Sequence, residues 1–246
     1  MYSTVFEPLI SLLRRWPVTN PAYVLVHGAW GGAWCWDEVS AHLDHRGITW
    51  RAVDLPSRQL DVDPNSDLAA DAAVVVDAAV ALQSPVVLVG HSYGGAVITE
   101  AAPHVPKLAG LFYIAATVPD VGQSHSDTVR LVKMRTEMDD AIRVDGPLVR
   151  LDVELAAMAM YQESTPELRE WAKSRLSTQT LASLRGVRTG GRTDVTSRYL
   201  LCRHDHALDP SLQELVSKRC DEVIEIESDH SPFLSHSGHL VDIMVE

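Results

Sequence analysis

The sequence predicts an α/β fold, a mostly parallel central sheet with helices on both faces and a helical cap over one end. Three observations carry this. Short apolar runs alternate with helix-periodic segments, an alternation that builds parallel sheets covered on both sides. One run, VVLVG from Val86, passes straight into HSYGG, a strand that turns at once into a helix. About eighty residues, 117–196, separate two neighbouring strands, too long for a bare loop in a compact domain.

In chain order, Ala22–Val26 (AYVLV) is apolar throughout, as a strand buried on both faces must be. Residues 34–46 read as a helix stopped by Gly47, and 48–53 as the next strand. Asp54-Leu55-Pro56 opens a polar loop, and the alanine- and valine-rich stretch 67–82 forms a helix. After the strand from Val86 and its helix, residues 108–115 supply another strand. Within 117–196, the segments 127–138, 151–161 and 166–176 read as helices of a cap above the carboxyl ends of the strands, where such sheets bind ligands. SRYLLC at Ser197–Cys202 and DEVIEIE at 221–227 are the last strands, with a helix at 211–218 between them and another from about Ser235. The chain thus divides into an extension (1–21), a core (22–116 and 197–246) and the cap (117–196). There are no internal repeats.

The turn Gly90-His91-Ser92-Tyr93-Gly94 is the richest motif. A strand that turns sharply into a helix strains the corner residue and exposes it. Glycines two before and two after remove the Cβ atoms that would clash, so G-x-S-x-G here is a nucleophile elbow presenting Ser92 Oγ. The plainer alternative is a glycine-rich turn whose serine merely caps the helix. A serine nucleophile needs a base, an acid to orient it and an oxyanion hole, and in this architecture the acid and then the base follow in the chain. His230 lies just beyond the last strand and Asp205 at the carboxyl end of the strand before it. The small-residue loop His27-Gly28-Ala29-Trp30-Gly31-Gly32 after the first strand brings one backbone donor, Ala29; the second is Tyr93, after the nucleophile.

Rivals exist. His204 and His206 flank Asp205 and could suggest a metal pair, but no third convergent ligand is evident, so neither a metal nor an organic cofactor is expected. Asp209, beside Pro210, reads as a helix cap, and Asp229 adjoins His230 too closely to orient its ring. His236 and His239, three residues apart, read as a solvated helix face. Met134, Met138, Leu155, Met158, Met160, Tyr161 and Trp171 in the cap, with Gly28, Trp30 and Tyr93 from the core, are the candidates for an apolar substrate pocket.

Four segments carry a family resemblance: YVLVHGAWGGAWCW from Tyr23, VVLVGHSYGG from Val86, YLLCRHDHALDPSLQ from Tyr199 and SDHSPFLS from Ser228. Through them the chain resembles α/β-hydrolases, in particular the small capped group of plant methylesterases, hydroxynitrile lyases and bacterial esterases. The resemblance implies a cap inserted after the sixth strand, and an acid followed by Pro and then by Gln eight residues on, a spacing that Asp205, Pro210 and Gln213 fit. The lyases of this group carry a threonine after the first motif's histidine and a lysine after the catalytic one. Here those places hold Gly28 and Ser231, which favours the esterase branch.

The expected function is hydrolysis of a medium-sized, largely uncharged carboxylic ester or lactone through an acyl-enzyme on Ser92. Acyl transfer, elimination or cyclisation by the same triad in secondary metabolism is the alternative, and a non-catalytic small-molecule receptor a weaker one. With 246 residues and 46% hydrophobic content the chain can bury a substantial core. The formal charge of −12 argues against nucleic acid and anionic membrane surfaces as partners, and disfavours strongly anionic substrates unless Arg130, Arg135 or Arg143 lies near the pocket. Three scattered cysteines read as reduced thiols of a cytoplasmic protein. In the extension, Phe6, Leu9, Ile10, Leu13 and Trp16 share a helical face, suited to packing on the body or on a second copy in a homodimer. Arg14 and Arg15 follow this apolar stretch rather than precede it, unlike a signal peptide. No run reaches the length of a transmembrane helix, so no integral membrane contact is expected.

Overall fold

The computed structural model describes residues 16–58, 63–191 and 193–246. Strands β1 (Ala22–Val26), β2 (Trp50–Val53), β3 (Val86–His91) and β4 (Leu108–Ile114) come before the insertion, and two more after it, β8 (Ser197–Cys202) and β9 (Glu222–Ile226). They form one six-stranded sheet in the order β2-β1-β3-β4-β8-β9, every pairing parallel. β1, β3 and β8 are buried at every residue, whereas the edge strands β2 and β9 mix buried with partly exposed positions. Their composition follows: mostly aliphatic and aromatic in the interior strands, with Arg198 of β8 an exception, and Trp50, Arg51, Glu222 and Glu225 at the edges. The strand order reverses between β1 and β3, so the loops after these two strands flank a ready-made crevice.

The core helices begin where the sequence places them. The segment 34–46 resolves into a 3-10 turn, Ala33–Trp36, and α1, Asp37–His45, which packs on the C-terminal helix α11, Ser237–Val245. α2 spans Leu68–Ala81, capped by Asp67, whose carboxylate accepts the Ala70 N–H at 3.0 Å, and packs on α3, Tyr93–Ala101. The proposed amphipathic helix of the extension falls on residues outside those described, apart from Trp16. That indole is buried, donates to the Met244 carbonyl at 2.9 Å and lies 4.2 Å from the Arg198 guanidinium.

The insertion differs from the expectation in two ways. Among the described residues it follows the fourth strand of the sheet, not a sixth. It is also not wholly helical. Between the short helices α4 (His125–Val129) and α5 (Glu137–Ala141) and the helices α6 (Val153–Met160) and α7 (Pro166–Lys173) lies a hairpin of β5 (Ile142–Asp145) and β6 (Leu148–Leu151). β7 (Gln179–Thr180) joins β6 to complete a three-stranded antiparallel sheet, and α8 (Leu181–Arg185) follows. The segment 127–138 therefore holds parts of two helices with an irregular stretch between. The hairpin turn is Gly146-Pro147, with Gly146 at φ +58°, the left-handed conformation that two-residue hairpins ask of their first central residue.

Candidate active site

β3 ends at His91 and α3 begins at Tyr93, so Ser92 takes the whole change of direction. Its φ and ψ are 53° and −119°, a conformation that costs a non-glycine residue about 1–3 kcal/mol. The flanking glycines are required by contact. A Cβ on Gly90 would lie 2.5 Å from the Gly94 carbonyl oxygen, and one on Gly94 would lie 2.6 Å from those of Val26 and His27. The Ser92 N–H donates to Ile114 at 3.1 Å, and its carbonyl accepts from Gly95 and Thr117, both at 3.1 Å. Asp67, Asp152, Thr165, Thr180 and Asp209 all cap their helices through the side chain. Ser92 does not. The capping alternative therefore fails, and the hydroxyl is left to face the cavity.

Asp205 and His230 meet as expected, with Nδ1 of the imidazole 2.6 Å from Oδ2 of the carboxylate, both side chains buried. The carboxylate has three further donors: the N–H groups of Ala207 and Leu208 on Oδ1 at 2.7 and 2.8 Å, and Gln213 Nε2 on Oδ2 at 2.8 Å. Gln213 is itself pinned, accepting from the Cys202 N–H and donating to the Leu208 carbonyl. Four hydrogen-bond partners thus converge on the buried Asp205 carboxylate and fix its orientation. Ser92 and His230 line the same cavity, though no hydrogen bond joins Ser92 Oγ to the ring; such contacts are often long before substrate binds.

The rivals have other duties. Asp209 caps α9, Pro210–Ser217, accepting the Ser211 N–H at 2.8 Å. Asp229 binds the N–H groups of Ser231 and Glu163 and the Ser235 hydroxyl, tying the His230 loop to the cap, and burial raises its carboxyl pKa. His204 pairs with Glu163 and Glu227 and His206 with Glu137, on the surface.

Two histidines gain roles the sequence did not announce. His91 Nε2–H donates to the His230 carbonyl at 2.8 Å, its ring 4.6 Å from that of His230, and burial holds its pKa well below the ordinary value. The His27 ring shares a hydrogen with the Gly28 carbonyl through Nδ1 at 2.7 Å and accepts the Leu55 N–H at Nε2, 3.1 Å away. Burial lowers its pKa to about 4, so the neutral ring staples the loop after β1 to the loop after β2. In the loop after β1, the Ala29 N–H finds no acceptor among the described residues, and neither does that of Tyr93. A Cβ on Gly28 would lie 2.9 Å from that of Ser92, so the loop packs directly on the elbow.

The cavity holds about 200 Å³ and is lined by Gly28, Ala29, Trp30, Met134, Met138, Met160 and Tyr161, with Ser92 and His230 at its floor. Half-buried His125 joins this wall. Its Nδ1 lies 3.0 Å from Thr117 Oγ1, and burial lowers its pKa to about 4. Other candidates lie elsewhere. Met158 and Leu155 are on the outer face of α6, 55% and 41% exposed. Trp171 packs edge-on against Trp34, ring centroids 5.2 Å apart, with the Arg175 guanidinium over its face. The Tyr93 side chain points behind the elbow, donating to Asp71 Oδ2 at 2.7 Å, so only its backbone faces the site. Of the arginines, Arg130 reaches the cavity wall, while Arg135 and Arg143 pair with Asp140 and Asp152. A larger open cleft of about 1170 Å³ runs past Leu111 and Tyr113 of β4 and the amino-terminal residues of β8 and β9, and contains none of these residues.

Comparison with known proteins identifies the family and the fold. The model of the alpha/beta hydrolase family matches residues 23–241. Norfluorocurarine synthase 2 from a Strychnos species is 30% identical, covering 91% of this chain and 94% of its own. Methylesterase 7 of Arabidopsis thaliana is 28% identical over 91% of this chain and 95% of its own. The crystal structure of a pyrethroid hydrolase from Sphingobium faniae JZ-2 superposes with a TM-score of 0.81 at 23% identity, covering 92% of this chain and 96% of that one, and so shares the fold. The chain belongs to the alpha/beta hydrolase family.

Proposed function

We propose that this protein is a serine hydrolase that cleaves a medium-sized, largely uncharged carboxylic ester or lactone, with Ser92, His230 and Asp205 as its triad. One observation carries the reading: an uncapped serine at a strained elbow and a carboxylate-bound imidazole open onto one small apolar cavity. His230 takes the proton of Ser92 as the hydroxyl attacks the ester carbonyl. The N–H groups of Ala29 and Tyr93 receive the oxyanion, and Asp205 fixes the His230 tautomer and stabilises its charged form. His230 then passes the proton to the leaving alcohol and activates the water that releases the acid.

A second reading keeps the site and changes the outcome to acyl transfer, elimination or cyclisation. The relative named a synthase favours it. It is weighed against the uncharged cavity wall at Ser231, where the cyanide-releasing relatives would place a cation. We further assign the protein to the cytoplasm, with a small-molecule ester as its partner. In support, no disulfide joins its three cysteines, burial pushes the Cys35 thiol up to about 12 and that of Cys202 well above its ordinary value, and no described helix is long and apolar enough to cross a membrane.

The test is labelling with a fluorophosphonate alongside turnover of p-nitrophenyl butyrate. Wild type is expected to be labelled and active, and Ser92→Ala neither. Labelling that persists in Ser92→Ala would place the nucleophile elsewhere. Labelling of wild type without ester turnover would move the assignment to the second reading.

A further inference from the structure

Trp30 follows the oxyanion donor Ala29 with φ at 61°, a strained conformation for a side chain of its size. Three groups hold it, all from the cap. Its N–H donates to Gln179 Oε1 at 3.3 Å, its carbonyl accepts the Ser177 N–H at 2.9 Å, and its indole Nε1–H donates to the Val149 carbonyl at 3.0 Å. Gln179 does more than accept. Its Nε2 donates to Ser57 Oγ and to Ser183 Oγ, both at 2.6 Å. Ser57 Oγ in turn donates to Asp71 Oδ2 at 2.5 Å, the same oxygen that receives the Tyr93 hydroxyl at 2.7 Å. Gln179, Ser57, Asp71 and Tyr93 are all fully buried. Every donor in the run points at an acceptor, so the direction of the Gln179 amide is fixed by its neighbours on both sides.

We propose that Gln179 is a positioning residue for catalysis. Through it, one buried hydrogen-bonded chain, Trp30–Gln179–Ser57–Asp71–Tyr93, joins the two backbone segments that carry the oxyanion donors and sets their spacing. The base of the cap is then a working part of the oxyanion hole rather than only a lid over it. The core cannot complete the hole by itself, because the strained Trp30 has both partners of its backbone, and the partner of its indole, in the cap. This rests on the serine-hydrolase reading above and adds a residue to it.

The test compares Gln179→Leu, Tyr93→Phe and the double variant on p-nitrophenyl butyrate. Phenylboronic acid serves as the probe of the tetrahedral state. Outright loss of an oxyanion donor costs ~10²–10³ in turnover. Misplacing one by removing its tether should cost less: kcat falling about 10- to 100-fold in Gln179→Leu, with KM changed less than about threefold and boronate affinity falling in step with kcat. Tyr93→Phe, which removes one oxygen on the core side, should lose about 3- to 10-fold and remain folded. The double variant should be no worse than Gln179→Leu, because both cuts sever the same chain. A merely structural role would lower the melting temperature but leave kcat and boronate affinity of the folded fraction alone. Folded variants with both quantities within twofold of wild type, or losses that multiply in the double variant, would overturn the proposal. Should Gln179→Leu not fold, the kcat and boronate affinity of Tyr93→Phe decide the matter alone. Failure of the underlying reading looks different: turnover would then survive Ser92→Ala.

Discussion

Replacing Asp205 by Asn changes one oxygen to an NH2 group, and the surroundings dictate which one. Oδ1 accepts two backbone N–H groups, from Ala207 and Leu208, that cannot rotate away. The amide oxygen of the variant must stay there, which forces the new NH2 into the place of Oδ2. That place faces Gln213 Nε2–H at 2.8 Å and the His230 Nδ1–H at 2.6 Å. Gln213 cannot flip to relieve the conflict, because its oxygen receives the Cys202 N–H and its nitrogen also serves the Leu208 carbonyl. The only member free to change is the imidazole, which must move its hydrogen to Nε2 so that Nδ1 can accept. In that tautomer Nε2 has no lone pair for the Ser92 proton. A wrong tautomer with intact geometry is expected to cost ~10⁴ in kcat, with KM little changed. The remaining donor-to-donor clash with Gln213 should cost about 1–3 kcal/mol of stability. Steady-state turnover of p-nitrophenyl butyrate and urea unfolding measure the two effects. A folded Asp205→Asn enzyme within about tenfold of wild type would refute the tautomer reasoning and the role of Asp205 with it.

Other consequences can be checked as simply. Burial lowers the His27 pKa from 6.5 to about 4, so between those values the unfolded chain binds a proton that the folded one does not, and stability falls as pH drops through that window. This amounts to about 2 kcal/mol at pH 5 and about 3 once the pH is below both values. His27→Gln, which cannot titrate, should lose about 2 kcal/mol less than wild type between pH 7 and pH 5 in urea melts, and equal losses would exclude His27 as the source. Gly94→Ala would drive a Cβ against two backbone oxygens at 2.6 Å, and should destabilise by about 3 kcal/mol; a change below about 1 kcal/mol would show the elbow is looser than described. Trp171→Ala should leave KM for a series of p-nitrophenyl esters unchanged, whereas Tyr161→Ala, at the cavity wall, should shift the preferred acyl length. The reverse pattern would mean the cavity is bounded differently.

Strand positions, helix starts and the Ser92 elbow could be read from the chain because each rests on local physics, whereas Asp205 and His230 were candidates by their places after the last two strands, Asp205 also by a family spacing. A run such as VVLVGH suits a strand buried on both faces, and Gly90 is demanded by the Gly94 carbonyl four residues on, whereas Gly94 is demanded by the neighbouring strand β1 at Val26 and by His27 just after it. Asp205 stood apart from its rivals because Asp209, beside Pro210, sits at a helix start, and Asp229 adjoins His230 too closely to orient its ring. What stayed hidden depends on which face of an element meets which neighbour. Met134 and Met158 are alike in sequence, yet one lines the cavity and the other lies on the outer face of α6. The β5–β6 hairpin carried a usable signal, Gly146-Pro147 between the short segments IRVD and LVRL in which apolar and charged residues mix, which the helical periodicity of its neighbours obscured. Nothing in the sequence near Gln179 points to Trp30, almost 150 residues away, because long-range polar pairing leaves no local pattern.

The edge-on contact of Trp34 with Trp171 spans the boundary between core and cap, one ring contributed by each. Two indoles this close couple their excited states and quench one another in a way that depends steeply on separation. Departure of α7 from the body would therefore change the intrinsic emission of the protein before any chemistry occurs. Any movement of α7 on substrate entry would then be readable by stopped-flow without an added dye.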